Sequence, residues 1–171
     1  PLERCMATIE PWLVKYGSQV AVHSDARIIE PDYGHWSGRK LDEIALDPLW
    51  NSVQNNPQEV TFPSGERFVD VWERVKSFFE TIKEIASGQE NILVVSHGDI
   101  IKFLIAQIVK LEFQNFQTLS VEPASISIAI LSKETSKLVQ FNRSEESIAQ
   151  VISKMLLPTL GGDQSTVNRG H

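Results

Sequence analysis

The amino-acid sequence predicts an α/β fold, a three-layer α/β/α sandwich in which helices pack on both faces of a central sheet. The run Ile92–Asp99 opens with apolar and small residues that do not alternate with polar ones, a pattern typical of a buried strand. Helical spacing follows at once through Ile101, Leu104 and Ile108. Because strand and helix patterns alternate in this way through the middle of the chain, the sequence favours the α/β class.

The N-terminal part is predicted to contain a helix, a strand and a loop. Apolar residues recur at helical spacing over residues 2–13, and Gly17 marks the end of this helix. Pro11 lies inside the pattern and is expected to kink or split the helix. Residues 19–23 have the pattern of a short strand. Residues 27–38 contain two glycines, a proline and two aromatic residues, which is typical of a loop.

The central part is predicted to be mostly helical. Residues 40–53 are expected to form one or two short helices, and Phe62–Glu66 a turn. The clearest helix in the sequence follows this turn, from residue 68 to about residue 88. The helix that follows the buried strand is expected to continue from residue 98 to about residue 109.

The C-terminal part is predicted to form two strands, at residues 125–131 and 138–141, joined by a polar segment. Residues 145–156 have helical spacing, and residues 161–171 are expected to form a flexible tail. No repeat or change in composition marks a domain boundary, so residues 1–160 are expected to form one domain.

The composition limits the classes of partner. With 171 residues the chain is long enough to bury a sizeable core. Its net charge of −6 argues against nucleic acid or an anionic membrane surface as the main partner, and no apolar run is long enough to span a membrane. Cys5 is the only cysteine, and the four histidines lack metal-ligand spacing, so neither a disulfide, a metal nor another cofactor is expected. We expect a cytoplasmic domain whose oligomeric state the sequence leaves open.

His97 is the first candidate for a functional residue. It lies where the predicted strand ends and the next helix begins, at the edge of an α/β sheet where ligands bind. The free N–H groups of Gly98 and Asp99 at the start of that helix attract phosphate. A titratable ring beside an anion site predicts phosphate chemistry, whereas a histidine bonded inside the core is the structural alternative.

Four short motifs extend this observation: Pro1–Cys5 with Thr8 and Ile9, Glu30–Gly38, Pro63–Glu66, and Ser96–Asp99. In this order they resemble the histidine phosphatase superfamily, whose fold is phosphoglycerate-mutase-like. Within it, the chain looks most similar to an actinobacterial-type group of phosphomutases and phosphatases. The likeness covers nearly the whole chain, and it implies a cofactor-free enzyme whose substrate is a small phosphorylated metabolite.

The resemblance also implies that the chain is truncated at its N-terminus. In that family a histidine in an Arg-His-Gly motif attacks the phosphoryl group and becomes phosphohistidine. Here the only His-Gly pair is His97–Gly98, which matches the second histidine of the family. The family motif Ser-Pro-Leu-x-Arg begins one residue before Pro1. We therefore expect a strand, a nucleophile loop and a helix to precede Pro1, about 30 residues or more, and the chain alone to be inactive.

The resemblance assigns a role to three residues of this chain. Arg4 matches the arginine that clamps the phosphate, with an ordinary surface arginine as the alternative. His97, with the N–H groups of Gly98 and Asp99, would donate to the transferring phosphoryl group. Glu30 matches the proposed general acid, which protonates the leaving oxygen.

Other charged residues and other activities stay open at this point. Asp32 is a second carboxylate close to Glu30, and the alternative for both is a solvated loop position. Arg39 is a candidate for contacting an anionic substrate, or else an exposed charge. In the family that the chain resembles, cofactor-dependent mutases carry a longer insertion after the glutamate motif, so the short interval from Gly38 to Phe62 favours a phosphatase. A phosphate-binding module without turnover is the third reading.

Overall fold

The computed structural model describes residues 1–86 and 91–143, and its helices and small sheet agree with the predicted α/β class. The helices are α1 (Glu3–Tyr16), α2 (Leu41–Ile44), α3 (Pro48–Asn55), α4 (Phe68–Ala86) and α5 (Gly98–Val109), and the strands are β1 (Ile126–Leu131) and β2 (Ser136–Arg143). The two short helices, the long helix α4 and the helix after His97 are confirmed. The predicted helix at residues 145–156 and the tail at 161–171 lie outside the described residues.

The core forms where α4 crosses α5. One face of α4 is buried from Phe68 onward, because its apolar residues recur every three or four positions. The ring of Phe68 packs on Phe62 at 5.0 Å and on Phe103 of α5 at 5.5 Å between ring centroids. Phe103 in turn packs on Phe116 at 4.6 Å, in the short 3₁₀ helix after α5. These edge-to-face contacts fix α5, and with it the residue at its N-terminus.

The strands are confirmed only at the C-terminal end. β1 and β2 pair antiparallel as a hairpin, and the hydroxyl of Ser136 donates to the carbonyl of Ile108 in α5 at 2.9 Å. The predicted strands at residues 19–23 and 92–96 are wrong for this structure, since neither segment is a strand. A strand needs a hydrogen-bonded neighbour, and neither segment pairs through its backbone with another segment among the described residues.

The predicted break at Pro11 is also absent. Helix α1 is continuous from Glu3 to Tyr16, with Pro11 inside it. Proline removes one N–H from the hydrogen-bond ladder, and the turn beyond it is closed by the N–H of Gly17, which donates to the Leu13 carbonyl at 2.8 Å.

Within the described residues, no helix is long and apolar enough to cross a membrane.

Two loops meet beside the core through reciprocal backbone hydrogen bonds. The N–H of His35 donates to the Pro63 carbonyl, and the N–H of Glu66 donates to the Asp32 carbonyl, both at 2.9 Å. The contact leaves no room for a side chain, since a Cβ on Gly34 would lie 2.0 Å from the Pro63 oxygen. Gly34 also has a φ of +54°, which favours glycine.

The substitution Gly34→Ala is therefore expected to lower the free energy of unfolding by about 2–5 kcal/mol. Left-handed backbone strain accounts for about 1–2 kcal/mol and the forced separation of the loops for about 1–3 kcal/mol. Gly38→Ala is the matched control, because Gly38 also has a positive φ (+79°) but no atom within 4 Å of its Cβ position. Urea unfolding of both variants measures the difference, and equal losses would contradict the steric argument.

Candidate active site

His97 is held at the N-terminus of α5 with its ring buried. It is the N-cap residue of the helix and is 7% exposed. The hydroxyl of Ser96 donates to the Ile28 carbonyl at 2.7 Å, which fixes the backbone just before the ring. Because α5 packs into the core through Ile100 and Phe103, both fully buried, the core sets the position of the imidazole.

Three residues predicted to act together lie together. The Nε of Arg4 donates to Nδ1 of His97 at 3.3 Å, and the Arg4 guanidinium forms an ion pair with the Glu30 carboxylate. Glu30 Oε1 lies 3.6 Å from the same Nδ1 atom. Helix α1, the loop after it and the start of α5 each supply one of these side chains. We call Arg4, Cys5, Glu30 and His97 the His97 cluster.

Cys5 is the member of the cluster that the sequence did not reveal. Its position in the pattern indicated only the apolar face of α1, yet its Sγ lies 3.4 Å from Nε2 of His97. Since Nδ1 accepts from Arg4, the neutral ring carries its proton on Nε2, which faces the sulfur. The only signal in the sequence was that Cys5 directly follows Arg4 in the first turn of α1, so a site at Arg4 could also include Cys5.

Burial sets the protonation of the cluster. It lowers the pKa of His97, and the charges of Arg4 and of the Pro1 amino group lower it further, while the Glu30 carboxylate acts in the opposite direction. Burial also raises the pKa of the Cys5 thiol. The cluster therefore holds a neutral imidazole between a cation and a protonated thiol.

Asp99 presents its backbone rather than its carboxylate to the cluster. Its carboxylate accepts from the Tyr33 hydroxyl at 2.9 Å and lies 3.3 Å from the Lys102 ammonium, which also donates to Gln117 at 3.0 Å. Burial raises the pKa of Tyr33 well above its ordinary value, and the nearby Asp99 charge adds to this effect. The negative charge of Asp99 is thus bound by two donors, which lessens its repulsion of an anion.

The start of α5 offers donors to an anion. The N–H groups of Gly98 and Asp99 belong to the first helical turn, where the helix itself supplies no acceptors. A Cβ on Gly98 would meet no atom within 4 Å, so the space beside this backbone is open. Together with the Arg4 guanidinium, these groups can bind a phosphate.

Two other predicted candidates lie elsewhere. Arg39 is largely exposed and pairs with Glu43 at 3.7 Å, and it has no hydrogen bond or ion pair with the His97 cluster. The Asp32 carboxylate accepts from the N–H of Gly34 at 2.9 Å and shapes its own loop. In the part of the chain that the structure describes, no group of three or more His, Cys, Asp or Glu side chains is arranged so that it could hold a metal ion.

Comparisons with known proteins show the family of this chain. Residues 1–144 match the family model of the histidine phosphatase superfamily (branch 1). Phosphoserine phosphatase 1 from Hydrogenobacter thermophilus is 24% identical over 144 residues, which are 83% of this chain and 67% of that protein. The chain thus spans about two thirds of the length of this curated relative.

Solved structures share the fold. The α-ribazole phosphatase from Shigella flexneri superposes with a TM-score of 0.68 at 24% identity, covering 86% of this chain and 72% of the other. A mycobacterial glucosyl-3-phosphoglycerate phosphatase in complex with inorganic phosphate superposes with a TM-score of 0.67 at 25% identity, covering 84% and 74% of the two chains. These matches confirm the predicted phosphoglycerate-mutase-like fold.

The neutral state of His97 predicts how stability depends on pH. Because the pKa of His97 is lowered in the fold, the unfolded chain takes up the proton first as the pH falls through about 6.5. The free energy of unfolding should include a contribution that is present above about pH 6.5 and is lost as the pH falls towards the folded pKa. Urea unfolding between about pH 5 and 8 measures it.

The His97→Asn variant should lack this contribution, and His35→Asn serves as the control at an exposed histidine. A stability that rises as the pH is lowered from 7, or a pH dependence unchanged in His97→Asn, would contradict the assignment.

Proposed function

The chain belongs to the histidine phosphatase superfamily (branch 1), and we propose that it forms the main part of a phosphomonoester hydrolase that acts through a phosphohistidine intermediate. The observation that carries the proposal is the His97 cluster at the N-terminus of α5. Its guanidinium, its neutral imidazole and two free helix N–H groups suit a phosphoryl group, and its carboxylate suits proton transfer to the leaving oxygen.

In this proposal the attacking histidine comes from residues that precede Pro1. Pro1 and Leu2 lead directly into α1, whose first turn carries Arg4 and Cys5, so preceding residues would enter the fold beside the cluster. Residues 18–24 are exposed throughout, and Leu93 is 57% exposed. In this proposal an added apolar strand covers part of this exposed surface and supplies the backbone partners that a sheet requires.

The reaction then proceeds in two steps. The nucleophilic nitrogen attacks phosphorus and the bond to the leaving oxygen breaks. In this proposal the phosphate replaces Glu30 on Arg4, and Glu30 takes up a proton and gives it to the leaving oxygen. Arg4 and the N–H groups of Gly98 and Asp99 stabilise the charge on the equatorial oxygens. His97 joins them in its other tautomer, in which Nδ1 carries the proton and donates to an oxygen while Nε2 accepts from the Cys5 thiol. In the second step Glu30 accepts a proton from water as the water attacks the phosphohistidine and releases phosphate.

The proposed substrate class is a small phosphorylated metabolite in the cytoplasm. The relatives are named for three different compounds, phosphoserine, α-ribazole and glucosyl-3-phosphoglycerate, so the class is supported and an individual substrate is not. A net charge of −6 disfavours nucleic acid as a substrate. The free, buried thiol of Cys5 suits a reducing compartment.

The test is hydrolysis of 4-nitrophenyl phosphate by the protein expressed from its natural start codon. His97→Ala is expected to lower kcat by about 10²–10³-fold, the usual effect of removing one donor to the transition-state oxyanion. Its melting temperature should change by less than about 4 °C, which corresponds to roughly 1 kcal/mol. His23→Ala and His35→Ala are the controls, since both positions are exposed and lie outside the His97 cluster.

Loss of activity in His97→Ala together with acid-labile label from ³²P-substrate on the wild-type protein would support the phosphohistidine route. Stabilisation by inorganic phosphate without any turnover would instead indicate a phosphate-binding module.

A further inference from the structure

We propose that Glu66 and Arg74 act as positioning residues for the general acid Glu30, an inference that rests on the proposed function. The two residues lie outside the His97 cluster, on the loop before α4 and on α4 itself. Their side chains form an ion pair, with Arg74 Nη2 3.1 Å from Glu66 Oε2 and Nε 3.2 Å from Oε1. The Arg74 side chain is only 17% exposed.

Arg74 fixes the chain that leads into Glu30. Its Nη1 donates to the carbonyl of Arg27 at 2.7 Å and to the carbonyl of Ile29 at 2.8 Å. The second of these carbonyls belongs to the residue directly before Glu30. One guanidinium therefore holds two backbone acceptors on one side and a carboxylate on the other.

Glu66 fixes the chain that leaves Glu30. Its Oε2 accepts from the N–H of Asp32 at 2.9 Å, and its own N–H donates to the Asp32 carbonyl at the same distance. The loop is thus bonded to the same ion pair just before and just after Glu30. Because Ile29 and Asp32 are both held by hydrogen bonds, the backbone at Glu30 can move little, and the Glu30 carboxylate stays beside His97.

The Arg74–Glu66 ion pair connects the Glu30 loop to the rigid core. Arg74 extends from α4, whose neighbouring residues Val71 and Val75 are fully buried. A lysine at position 74 would keep the charge, but an ammonium lacks the planar fork that reaches two carbonyls and a carboxylate at once. Arg74→Lys should therefore loosen the Glu30 loop without removing any group from the cluster.

The experiment compares two substrates that differ in their need for an acid, with the protein expressed from its natural start codon. The nitrophenolate of 4-nitrophenyl phosphate leaves without a proton, whereas the alkoxide of 2-phenylethyl phosphate requires one. Glu30→Gln should lower kcat for the alkyl ester by about 10²-fold or more and change the aryl ester much less. Arg74→Lys and Glu66→Gln should show the same selectivity, with at least an approximately tenfold loss for the alkyl ester.

Two exposed charges provide matched controls. Arg67 lies directly before α4 and Glu73 lies on α4. Their side chains are 62% and 60% exposed, and neither side chain contacts the Glu30 loop. The control variants are Arg67→Lys and Glu73→Gln. Both should leave the two rates within about twofold of wild type. In the double variant Glu30→Gln/Arg74→Lys, the alkyl-ester rate should fall no further than in Glu30→Gln alone.

Each outcome separates the inference from the proposed function. Equal losses for both esters in Arg74→Lys, or no loss, would overturn the positioning role while leaving a phosphatase in place. Additive losses of the alkyl-ester rate in the double variant would also overturn it. So would a Glu30→Gln variant that loses the same fraction of kcat for both esters. A wild-type protein that hydrolyses neither ester would refute the proposed function itself.

Discussion

Two loops hold the proposed general acid Glu30 and the ion pair beside it, and they can meet only because glycine stands at the point of contact. The backbone of residues 32–35 lies against that of residues 63–66, and a Cβ on Gly65 would come within 2.2 Å of the Asp32 oxygen. At this separation each loop satisfies polar groups of the other. The contact also brings Glu66 to the Glu30 loop, so the site depends on a steric constraint located away from it.

The aromatic core positions the other part of the site, His97 and the first turn of α5. α5 is fixed by Phe103 and Ile100, and His97 caps it, so the imidazole and the free N–H groups occupy positions that packing determines. Glu30 arrives from the loop side and Arg4 from α1. Three independently positioned segments therefore converge on the proposed phosphate site, an arrangement typical of preorganised electrostatic stabilisation.

The sequence predicted what local periodicity encodes. α4 and α5 were predicted because their apolar residues repeat every three or four positions. His97 was singled out by its place just before α5, and Glu30 was found by resemblance. The segments at 19–23 and 92–96 are not strands because a strand is completed by its neighbours, which local pattern cannot supply. Cys5 escaped notice because its partner His97 lies 92 residues away in the chain.

The central claim is that the start of α5 and the His97 cluster bind the phosphoryl group, and an NMR titration of the ¹⁵N-labelled chain with inorganic phosphate tests it most directly. The account predicts saturable shifts of the Gly98 and Asp99 amides and of the His97 ring, with weaker binding in Arg4→Gln. Unchanged signals at these three residues, with shifts confined to exposed lysines, would contradict it.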